Sequence, residues 1–466
     1  MRPDSSTPLV DTGKVSSWTL PLLINVGICC LASVQYGYHM AELNAPAKLI
    51  RQALQLSQSQ LGLITAIFSI GGLVSSTFAS YISTRKGLKV SFLCTCMFYI
   101  LGSLIESRAY SYITMLIGRF ISGLGAGLAI VYVPVYVNDI APIDLRGILG
   151  SMTQISVNLG ILLTQVLAIF WNGTEDWRKI LHFGWIVGLI NIAGVYLLLM
   201  ESPKWLIIRS EQKNERLGIE VLTKLRNSDD VIEEVEIWKS ENQLHLTLIE
   251  NNPHLKQLGF WYYLTDKNYY NSRTIATFMM FGQQFAGINS VIFYGVDIIS
   301  KVFPKHSILT NVLISLGNTI ITGLSSLFLD RAGRKPLLIL SLLAMTISLL
   351  ILSMGVLNDS TLLTVTSIFT YVGSFAIGCG PIPFLIIGEV SQSEVKDVAQ
   401  SWATDCNWIS VFIVGTMFPI LNNLIGGWVY LIFASVCLTF AAFVYYFVPE
   451  TKGCRTYEEV WGTRLD

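Results

Sequence analysis

The sequence has 466 residues, of which 52% are hydrophobic and only 13% are charged, whereas about 25% of the residues of an ordinary soluble domain are charged. These proportions exclude a soluble globular protein and an intrinsically disordered chain. Lysine plus arginine and aspartate plus glutamate each number 31, so the chain has no net charge and lacks the basic surplus typical of nucleic-acid-binding proteins.

Twelve apolar stretches are long enough to cross a bilayer, because a spanning helix needs about 20 mostly apolar residues. In chain order these stretches are Trp18 to Tyr38, Leu61 to Ser83, Val90 to Ser107, Ile113 to Val137, Ile148 to Phe170, Leu181 to Met200, Thr274 to Ser300, Ile308 to Leu329, Pro336 to Leu357, Leu362 to Gly388, Ser401 to Leu424 and Gly427 to Val448. We therefore predict an all-α membrane protein with twelve transmembrane helices in two six-helix halves.

One polar segment separates the two halves. It covers 202–272 and contains 20 charged residues in 71, so it must lie in water, and we expect it to form a short cytoplasmic helical insert. The predicted N-terminal bundle then covers 18–201 and the C-terminal bundle 273–448. Residues 1–17 and 449–466 are the predicted cytoplasmic tails.

The distribution of basic residues predicts the orientation, because lysine and arginine accumulate on the cytoplasmic side. With both termini inside, 23 of the 31 basic residues are cytoplasmic and seven lie on exterior loops. Asn172 begins a sequon on an exterior loop and is a candidate glycosylation site; a second sequon, at Asn358, lies in a very short loop. We expect a multi-pass protein of the plasma membrane or of a vacuolar or other internal membrane, and the sequence leaves this choice open.

Charged residues near the predicted helix ends recur at nearly one period, with offsets of 246, 250 and 249 residues. The recurring pairs are Arg85 with Arg331, Asp139 with Glu389, Arg146 with Lys396, and Glu201 with Glu450. The chain is thus a duplicated six-helix unit with both copies in the same orientation. Such repeats are typical of transporters whose halves rock about a central site.

Short motifs follow one another from Gln35 to Tyr457. They include Gln35-Tyr36-Gly37-Tyr38, Gly118-Arg119-Phe120, Gln283-Gln284, Gly287-Ile288-Asn289, Gly380-Pro381-Ile382-Pro383 and Pro449-Glu450-Thr451-Lys452-Gly453. In their order and spacing the chain resembles the sugar porter family of the major facilitator superfamily, specifically the facilitative hexose transporters and their fungal relatives. The resemblance implies the major facilitator fold and transport of a hexose or similar polyol by alternating access.

A hexose is a neutral polyol, so a site that must release it is expected to use carboxamides and aromatic faces rather than fixed charges. The resemblance implies that the sugar contacts the amides Gln154, Gln283, Gln284, Asn289, Asn318 and Asn407 and the apolar side chains Val157, Ile161, Phe375, Phe384 and Trp408. We expect these residues to line a wet, uncharged cavity between the halves. Alternatively, amides in membrane helices simply bond neighbouring helices.

Two departures from the family pattern leave the substrate open. Hexose transporters have a glutamate where this chain has Ala376, and a tryptophan where it has Phe384. A polar sugar contact has therefore been lost, and glucose is not implied.

The coupling residues also differ from those of the family. Proton-driven relatives have an aspartate in the first helix, paired with the arginine of the fourth; here that position is His39, and Arg119 is retained. The sequence offers no carboxylate at that position to take up a proton, and a histidine near an arginine is pushed toward its neutral form. We therefore expect uniport, with histidine-based proton symport as the alternative. Asp405, inside the eleventh helix, is a further candidate for coupling or substrate contact.

The repeated charges predict a cytoplasmic gate, in which salt bridges form in one conformation and separate in the other. Its expected members are Arg85, Asp139, Arg146, Glu201, Asp330, Arg331, Arg334, Glu389, Lys396 and Glu450. The alternative is a set of solvated loop charges with little energetic value. Pro381 and Pro383, with Gly378 and Gly380, are expected to interrupt the tenth helix as a hinge.

Other functions have less support in the sequence. A sugar sensor or trafficking protein on the same fold is an alternative, but sensors usually carry long cytoplasmic tails. No phosphate-binding loop, nucleophile motif or metal-ligand spacing occurs, so we expect no enzyme activity and no cofactor. The expected partners are the bilayer and a small sugar or polyol, without nucleic acid or nucleotide, and the expected state is a monomer.

Overall fold

The computed structural model describes residues 18–208, 212–251, 260–326, 332–392, 395–452 and 457–462, and all regular structure within these ranges is helical. Eleven helical segments of the described residues are long and apolar enough to cross a membrane. One of them, Val398–Phe447, has 50 residues and contains two helices that turn at Gly426–Trp428. The twelve predicted crossings are therefore all present.

The first half contains the six predicted spanning helices and one short extra helix, α2. Thr19 caps the start of α1, and Ser57 forms a reciprocal capping box with Gln60 at the start of α3, which satisfies amide groups that have no partner within the helix. The helices are α1 (Leu20–Ala41), α2 (Ala47–Ala53), α3 (Gln58–Lys86), α4 (Leu88–Ser107), α5 (Tyr112–Ile140), α6 (Arg146–Phe170) and α7 (Trp177–Leu197).

Short helices follow in the polar insert: α8 (Pro203–Ile208), α9 (Gln212–Arg226), α10 (Ile232–Asn251) and α11 (Phe260–Thr265). Hydrogen bonds attach α9 to the first half. The Arg226 side chain donates to the Ile140 carbonyl at 2.7 Å, and Thr19 Oγ1 donates to the Leu225 carbonyl at 2.6 Å.

The second half differs from the first because two of its crossings are broken. The seventh crossing consists of α12 and α13, separated at Gly287, whose φ of +96° is left-handed and favours glycine. The tenth consists of α16 and α17, separated by the π-helical turn Phe375–Cys379 and by Gly380; the predicted interruption there is confirmed. The helices are α12 (Tyr270–Phe285), α13 (Ile288–Val302), α14 (Ser307–Ser326), α15 (Arg334–Leu357), α16 (Thr361–Ser374), α17 (Ile382–Val390), α18 (Lys396–Ile425), α19 (Val429–Phe447) and α20 (Tyr457–Trp461).

Two helix pairs make the most extensive contacts between the halves, α3 with α18 and α6 with α14. Close approach in the first pair depends on Gly72, where a Cβ atom would lie 2.6 Å from the Trp408 ring.

We call the side of the bundle where α1 begins and α19 ends the terminal face, and the opposite side the loop face. The predicted sugar residues lie between these two faces.

Candidate transport site

A chain of four amide side chains lies inside the second half. Asn289 on α13 donates to Gln284 Oε1 at 2.5 Å, and Gln284 donates to Gln283 Oε1 at 3.2 Å. The same Gln283 oxygen accepts from Asn407 of α18, also at 3.2 Å. All four side chains are buried. The structure therefore brings together four of the six predicted amides, from three helices.

Both broken crossings of the second half position this amide chain. The Gln283 amide nitrogen donates to the carbonyls of Cys379 and Gly380, at 2.8 and 2.9 Å, where α16 gives way to α17. The break at Gly287 lies between Gln284 and Asn289 in the sequence. The hydrogen bond between these two amides therefore joins the end of α12 to the start of α13. A Cβ atom at Gly287 would lie 2.6–2.9 Å from ring atoms of Phe433, so only glycine fits this turn.

Two buried polar atoms of the predicted sugar residues have no partner among the described residues. They are the acceptor Asn289 Oδ1 and the donor Trp408 Nε1. An unsatisfied buried polar group costs about 1–3 kcal/mol, so such groups require an explanation. One free acceptor and one free donor are what a hydroxyl-bearing ligand uses.

The remaining two predicted amides lie elsewhere, on the α6–α14 pair. Gln154 is exposed, and its amide nitrogen lies 3.5 Å from Asn158 Oδ1. Asn158 donates to the Thr322 hydroxyl across the halves at 2.9 Å. Thr322 in turn donates to Asn318 at 3.4 Å. Asn158 and Thr322 were missed by sequence reasoning. Their position one helical turn from Gln154 and Asn318 was the available signal.

The predicted apolar residues separate into different clusters. Val157 and Ile161 are buried with Tyr36 and Ile292, so they lie where α1 and α6 meet α13. Trp408 lies at the α3–α18 contact, with its ring 5.9 Å from that of Tyr36 and edge-on to it.

Phe375 and Phe384 lie on opposite sides of the break in the tenth crossing. Phe375 begins the π-helical turn and packs on the main core, whereas Phe384 of α17 packs in the cluster between α12 and α18. Ala376, at the family's glutamate position, is buried, and its carbonyl accepts from Ser325 at 3.0 Å.

A charged cluster is buried in the first half. It comprises His39 on α1, Glu42 at the C-cap of α1, Glu106 on α4 and Arg119 on α5, and all four side chains are 0% exposed. Arg119 Nη1 lies 2.8 Å from Glu42 Oε1 and 3.9 Å from Glu106 Oε2, and His39 Nδ1 lies 3.0 Å from Glu42 Oε1. We call these four residues the charged cluster.

The charged cluster corrects one premise of the sequence analysis. The absence of a carboxylate beside His39 was expected, but the structure places Glu42 and Glu106 there. Glu42 lies one turn after His39, beyond the predicted end of the first helix, and Glu106 is 64 residues further along the chain. An acid in the last turn of an apolar stretch was the missed signal for Glu106.

Asp405 is also buried, at 7% exposure. Its Oδ1 lies 3.5 Å from the Thr77 hydroxyl of α3, across the contact between the halves. This position is separate from the charged cluster.

On the terminal face, Glu201 and Glu450 occupy equivalent positions in the two halves. Glu201 accepts hydrogen bonds from the backbone amides of Leu88 and Lys89 at 2.8 and 3.2 Å, and Glu450 accepts from those of Arg334 and Lys335 at 3.0 and 3.1 Å. Each carboxylate thus lies at the N-terminus of an earlier helix of its own half, Glu201 at α4 and Glu450 at α15, where the helix dipole favours negative charge. Burial raises the pKa of Glu201, and hydrogen bonds from the amides oppose that rise.

A second pair of repeated contacts involves hydroxyl groups. Ser202 donates to Asp139 at 2.6 Å, and Thr451 donates to Glu389. Glu389 also lies 3.4 Å from Arg334. Sequence reasoning selected the acids but missed the two hydroxyl donors.

The other predicted gating residues are less closely grouped. The Arg85 guanidinium lies 4.3 Å from the Tyr81 ring centroid, and Arg146 and Lys396 are the first residues of α6 and α18. Asp330 and Arg331 lie outside the described residues.

The loop face carries contacts between the halves that the sequence analysis did not predict. The Asn44 side chain donates to the Ile292 carbonyl at 2.7 Å and accepts from the Val296 amide at 3.0 Å. Lys48 lies 3.3 Å from Asp297. These contacts tie the end of α1 and the start of α2 to α13, and we call them the loop-face latch. Asn172, the candidate glycosylation residue, is exposed between α6 and α7 on the same face.

The similarity to known proteins extends over nearly the whole chain. A family model described as sugar (and other) transporter matches residues 26–461. The chain is 40% identical to a probable metabolite transport protein of Saccharomyces cerevisiae, over 94% of this chain and 95% of the relative. It is 34% identical to vacuolar protein sorting-associated protein 73 of the same yeast, over 93% and 94%. The inward-open structure of the xylose transporter XylE from E. coli is similar with a TM-score of 0.80 at 23% identity, covering 95% of this chain and 99% of that one.

Proposed function

Because the chain belongs to the sugar porter family of the major facilitator superfamily, we propose that it carries a neutral hexose or related polyol across a membrane by alternating access. Family membership makes the protein a transporter of the sugar family rather than an enzyme. The proposed substrate class depends on the amide chain of the second half.

The buried amide chain is the observation that carries this proposal. Four uncharged amides from α12, α13 and α18 hold one another in place. Asn289 of this amide chain keeps a free acceptor, and Trp408, the residue after Asn407 on α18, has a free donor. Neutral donors and acceptors suit a polyol, because they bind its hydroxyl groups without the cost of burying an unpaired charge. Ala376 lacks the polar side chain that hexose transporters have at this position, so glucose is not specified. The proposed substrates therefore include polyols and inositol as well as hexoses.

The break between α12 and α13 supports movement of the site. The α13 piece carries Asn289 and also bonds Asn44 of the loop-face latch through its backbone. Displacing α13 therefore opens the loop face and, in the same step, moves Asn289, one of the proposed sugar-binding residues. On the terminal face, the contacts of Glu201 and Glu450 hold each half together internally while the halves rock.

The proposed orientation places both termini and the insert in the cytoplasm, with the loop face outside. The excess of basic residues on the terminal side supports it, and Asn172 is then available for glycosylation. In this orientation the gating acids Asp139, Glu201, Glu389 and Glu450 face the cytoplasm.

Reconstitution into liposomes tests the proposal directly. Vesicles loaded with an unlabelled hexose, pentose, polyol or inositol are placed in a trace of the same labelled compound, with equal pH on both sides. We expect transient accumulation of at least one labelled compound. If none accumulates while the purified protein remains folded, the alternative of a non-transporting trafficking protein is favoured, in line with the similarity to the vacuolar sorting protein.

A further inference from the structure

The charged cluster contains one carboxylate more than its cation neutralises. With Glu42 and Glu106 ionised, Arg119 charged and His39 neutral, the four side chains carry a net charge of −1. All four are 0% exposed, and an uncompensated buried charge costs several kcal/mol. The cluster therefore favours the binding of one further proton, which makes it neutral.

The hydrogen bonds indicate which residue holds that proton. Glu42 Oε1 is contacted by Arg119 at 2.8 Å and His39 at 3.0 Å, so Glu42 is the ionised partner. Glu106 receives only a hydroxyl bond, from Ser122 at 2.6 Å, and its Oε2 lies 3.9 Å from the guanidinium. Glu106 is the carboxyl with the weaker charge compensation and so the better proton site.

Unpaired polar atoms surround this position. Oε2 of Glu42 and Oε2 of Glu106 have no hydrogen-bond partner among the described residues, and neither has the fully buried Ser103 hydroxyl. Ser103 is not one of the four cluster residues, but its hydroxyl lies close to the imidazole of His39. A Cβ atom on Gly184 would be 2.6 Å from Ser103 Oγ and 3.1 Å from His39 Cε1. His39 Nε2 and the guanidinium atoms Arg119 Nε and Nη2 are unpartnered as well, so these donors do not reach the two carboxylate oxygens. A proton on Glu106 gives those oxygens a donor.

A metal ion is a poor alternative occupant. Ligand atoms of His39, Glu42 and Glu106 lie within 4.8 Å of one another. However, Arg119 already occupies the position of the cation, 2.8 Å from Glu42.

The other titratable groups near the cluster do not supply the missing charge. Tyr99 of α4 stacks on His39 at 4.9 Å, Tyr38 of α1 donates to a carbonyl of α7, and Tyr294 of α13 lies within electrostatic range of Arg119. Tyrosine is neutral at physiological pH. Arg178 of α7 donates to the Ser107 carbonyl at the rim of the cluster, and α3 contributes only the ring of Phe68, 4.6 Å from the guanidinium.

The cluster is joined to the moving parts of the transporter on two sides. Glu42 caps the end of α1, two residues before Asn44 of the loop-face latch. On the other side, the Phe68 ring separates Arg119 from Trp408, whose ring lies 6.2 Å from that of Phe68. Separation of α1 from α13 would therefore move Glu42 and admit water from the loop face.

We propose that Glu106 carries an exchangeable proton while the loop face is closed, and that this proton leaves to water on the loop face when α1 and α13 separate. The step breaks the carboxyl O–H bond, transfers the proton to water and leaves a hydrated carboxylate. This inference rests on the proposed alternating-access function, and it couples each opening of the loop face to one proton.

The sign of the pH effect follows from linkage. The closed state binds one more proton than the open state, so raising the pH favours opening. For one proton, the ratio of open to closed molecules rises by up to about tenfold per pH unit.

Spin-label distance measurements test this prediction without any substrate. Labels at Gln52→Cys and Lys305→Cys, both exposed positions on the loop face, report the separation of α2 from the end of α13. We expect the long-distance population to grow with pH in the otherwise unchanged protein and to be independent of pH in Glu106→Gln. Glu175→Gln, the same change at an exposed position of the loop face, should keep the full response. A flat pH profile without the Glu106 change, or an unchanged slope in Glu106→Gln, would overturn the proposal.

Infrared difference spectra supply a second test that does not depend on opening. A protonated carboxyl has a carbonyl stretch that a carboxylate lacks, so the unchanged protein should show a band that is absent from Glu106→Gln. The band should also disappear in Glu42→Gln, because Arg119 then neutralises an ionised Glu106. Identical spectra for the unchanged protein and Glu106→Gln would contradict the proposal. Sugar accumulation in liposomes at equal pH separately tests the proposed function, so the two failures are distinguishable.

Discussion

The buried polar groups of the two halves differ in kind although the halves are copies of one unit. The first half contains the charged cluster, with two acids, one arginine and one histidine, whereas the second contains the neutral amide chain. Both groups are almost fully buried. This difference underlies the two proposals above, that a neutral solute binds at the amide chain of the second half and a proton at the charged cluster of the first.

The largest effect is expected from removing the only cation of the charged cluster. Arg119→Gln leaves Glu42 and Glu106 without a counterion, and breaking a buried pair costs about 3–5 kcal/mol. We expect a large drop in the thermal unfolding midpoint of the purified protein in detergent. Adding Glu42→Gln to Arg119→Gln removes the surplus negative charge and should recover part of the loss. Equal stability of the single variant and the unchanged protein would contradict a charged, buried cluster.

The corresponding change in the amide chain affects transport more than stability. Gln283→Ala removes the donor to the Cys379 and Gly380 carbonyls and the acceptor for Asn407. At about 1–3 kcal/mol for the groups left unpaired, the initial rate of accumulation in liposomes should fall roughly fivefold to 160-fold. Gln52→Ala, at an exposed position of α2, is the matched control and should transport normally. Normal transport by Gln283→Ala would remove this residue from the site.

A glycine substitution tests the geometry that separates the two halves. Gly287→Ala places a Cβ against Phe433 at a positive φ, which costs about 1–3 kcal/mol. Gly27→Ala in α1 meets nothing within 4 Å and should leave the unfolding midpoint unchanged or slightly raised. Equal midpoints for the two variants would show that the break between α12 and α13 does not depend on Gly287.

Smaller shifts are expected at the loop-face latch. Asn44→Ala removes two hydrogen bonds between the halves, worth about 1–2 kcal/mol together, and should increase the open population measured with the spin labels. Lys48→Ala removes a largely exposed ion pair with Asp297, worth less than about 1 kcal/mol. The reverse order of the two effects would indicate that charge, rather than the Asn44 hydrogen bonds, holds the loop face closed.

Hydrophobic stretches and loop repeats were sufficient to predict the fold. The length of each apolar run predicts a crossing, and the repeated glutamates at 201 and 450 proved to have the same contacts in the two halves. The roles of these glutamates were less predictable. They bind backbone amides at helix N-termini, and a backbone partner leaves no signature in the sequence beyond the glycine that precedes each helix.

The charged cluster shows where sequence reasoning stops. Glu42 follows the apolar run of α1 and Glu106 ends that of α4, and the sequence analysis singled out neither of them. Their burial depends on the packing of α1, α4 and α5 around Arg119, which is a tertiary contact between distant parts of the chain. By contrast, Gln283, Gln284 and Asn289 are near neighbours in the sequence, and the resemblance to the sugar porter family already implied their grouping.

A structure determined with bound substrate tests the central claim most directly. The compound to add is the one that accumulates in liposomes, and electron cryomicroscopy is the measurement. We predict density for the ligand within hydrogen-bond distance of Asn289 Oδ1 and Trp408 Nε1, beside an intact Gln283–Asn407 contact. A ligand bound elsewhere, with these two atoms still enclosed by dry helix contacts, would contradict the assignment of the amide chain as the sugar site.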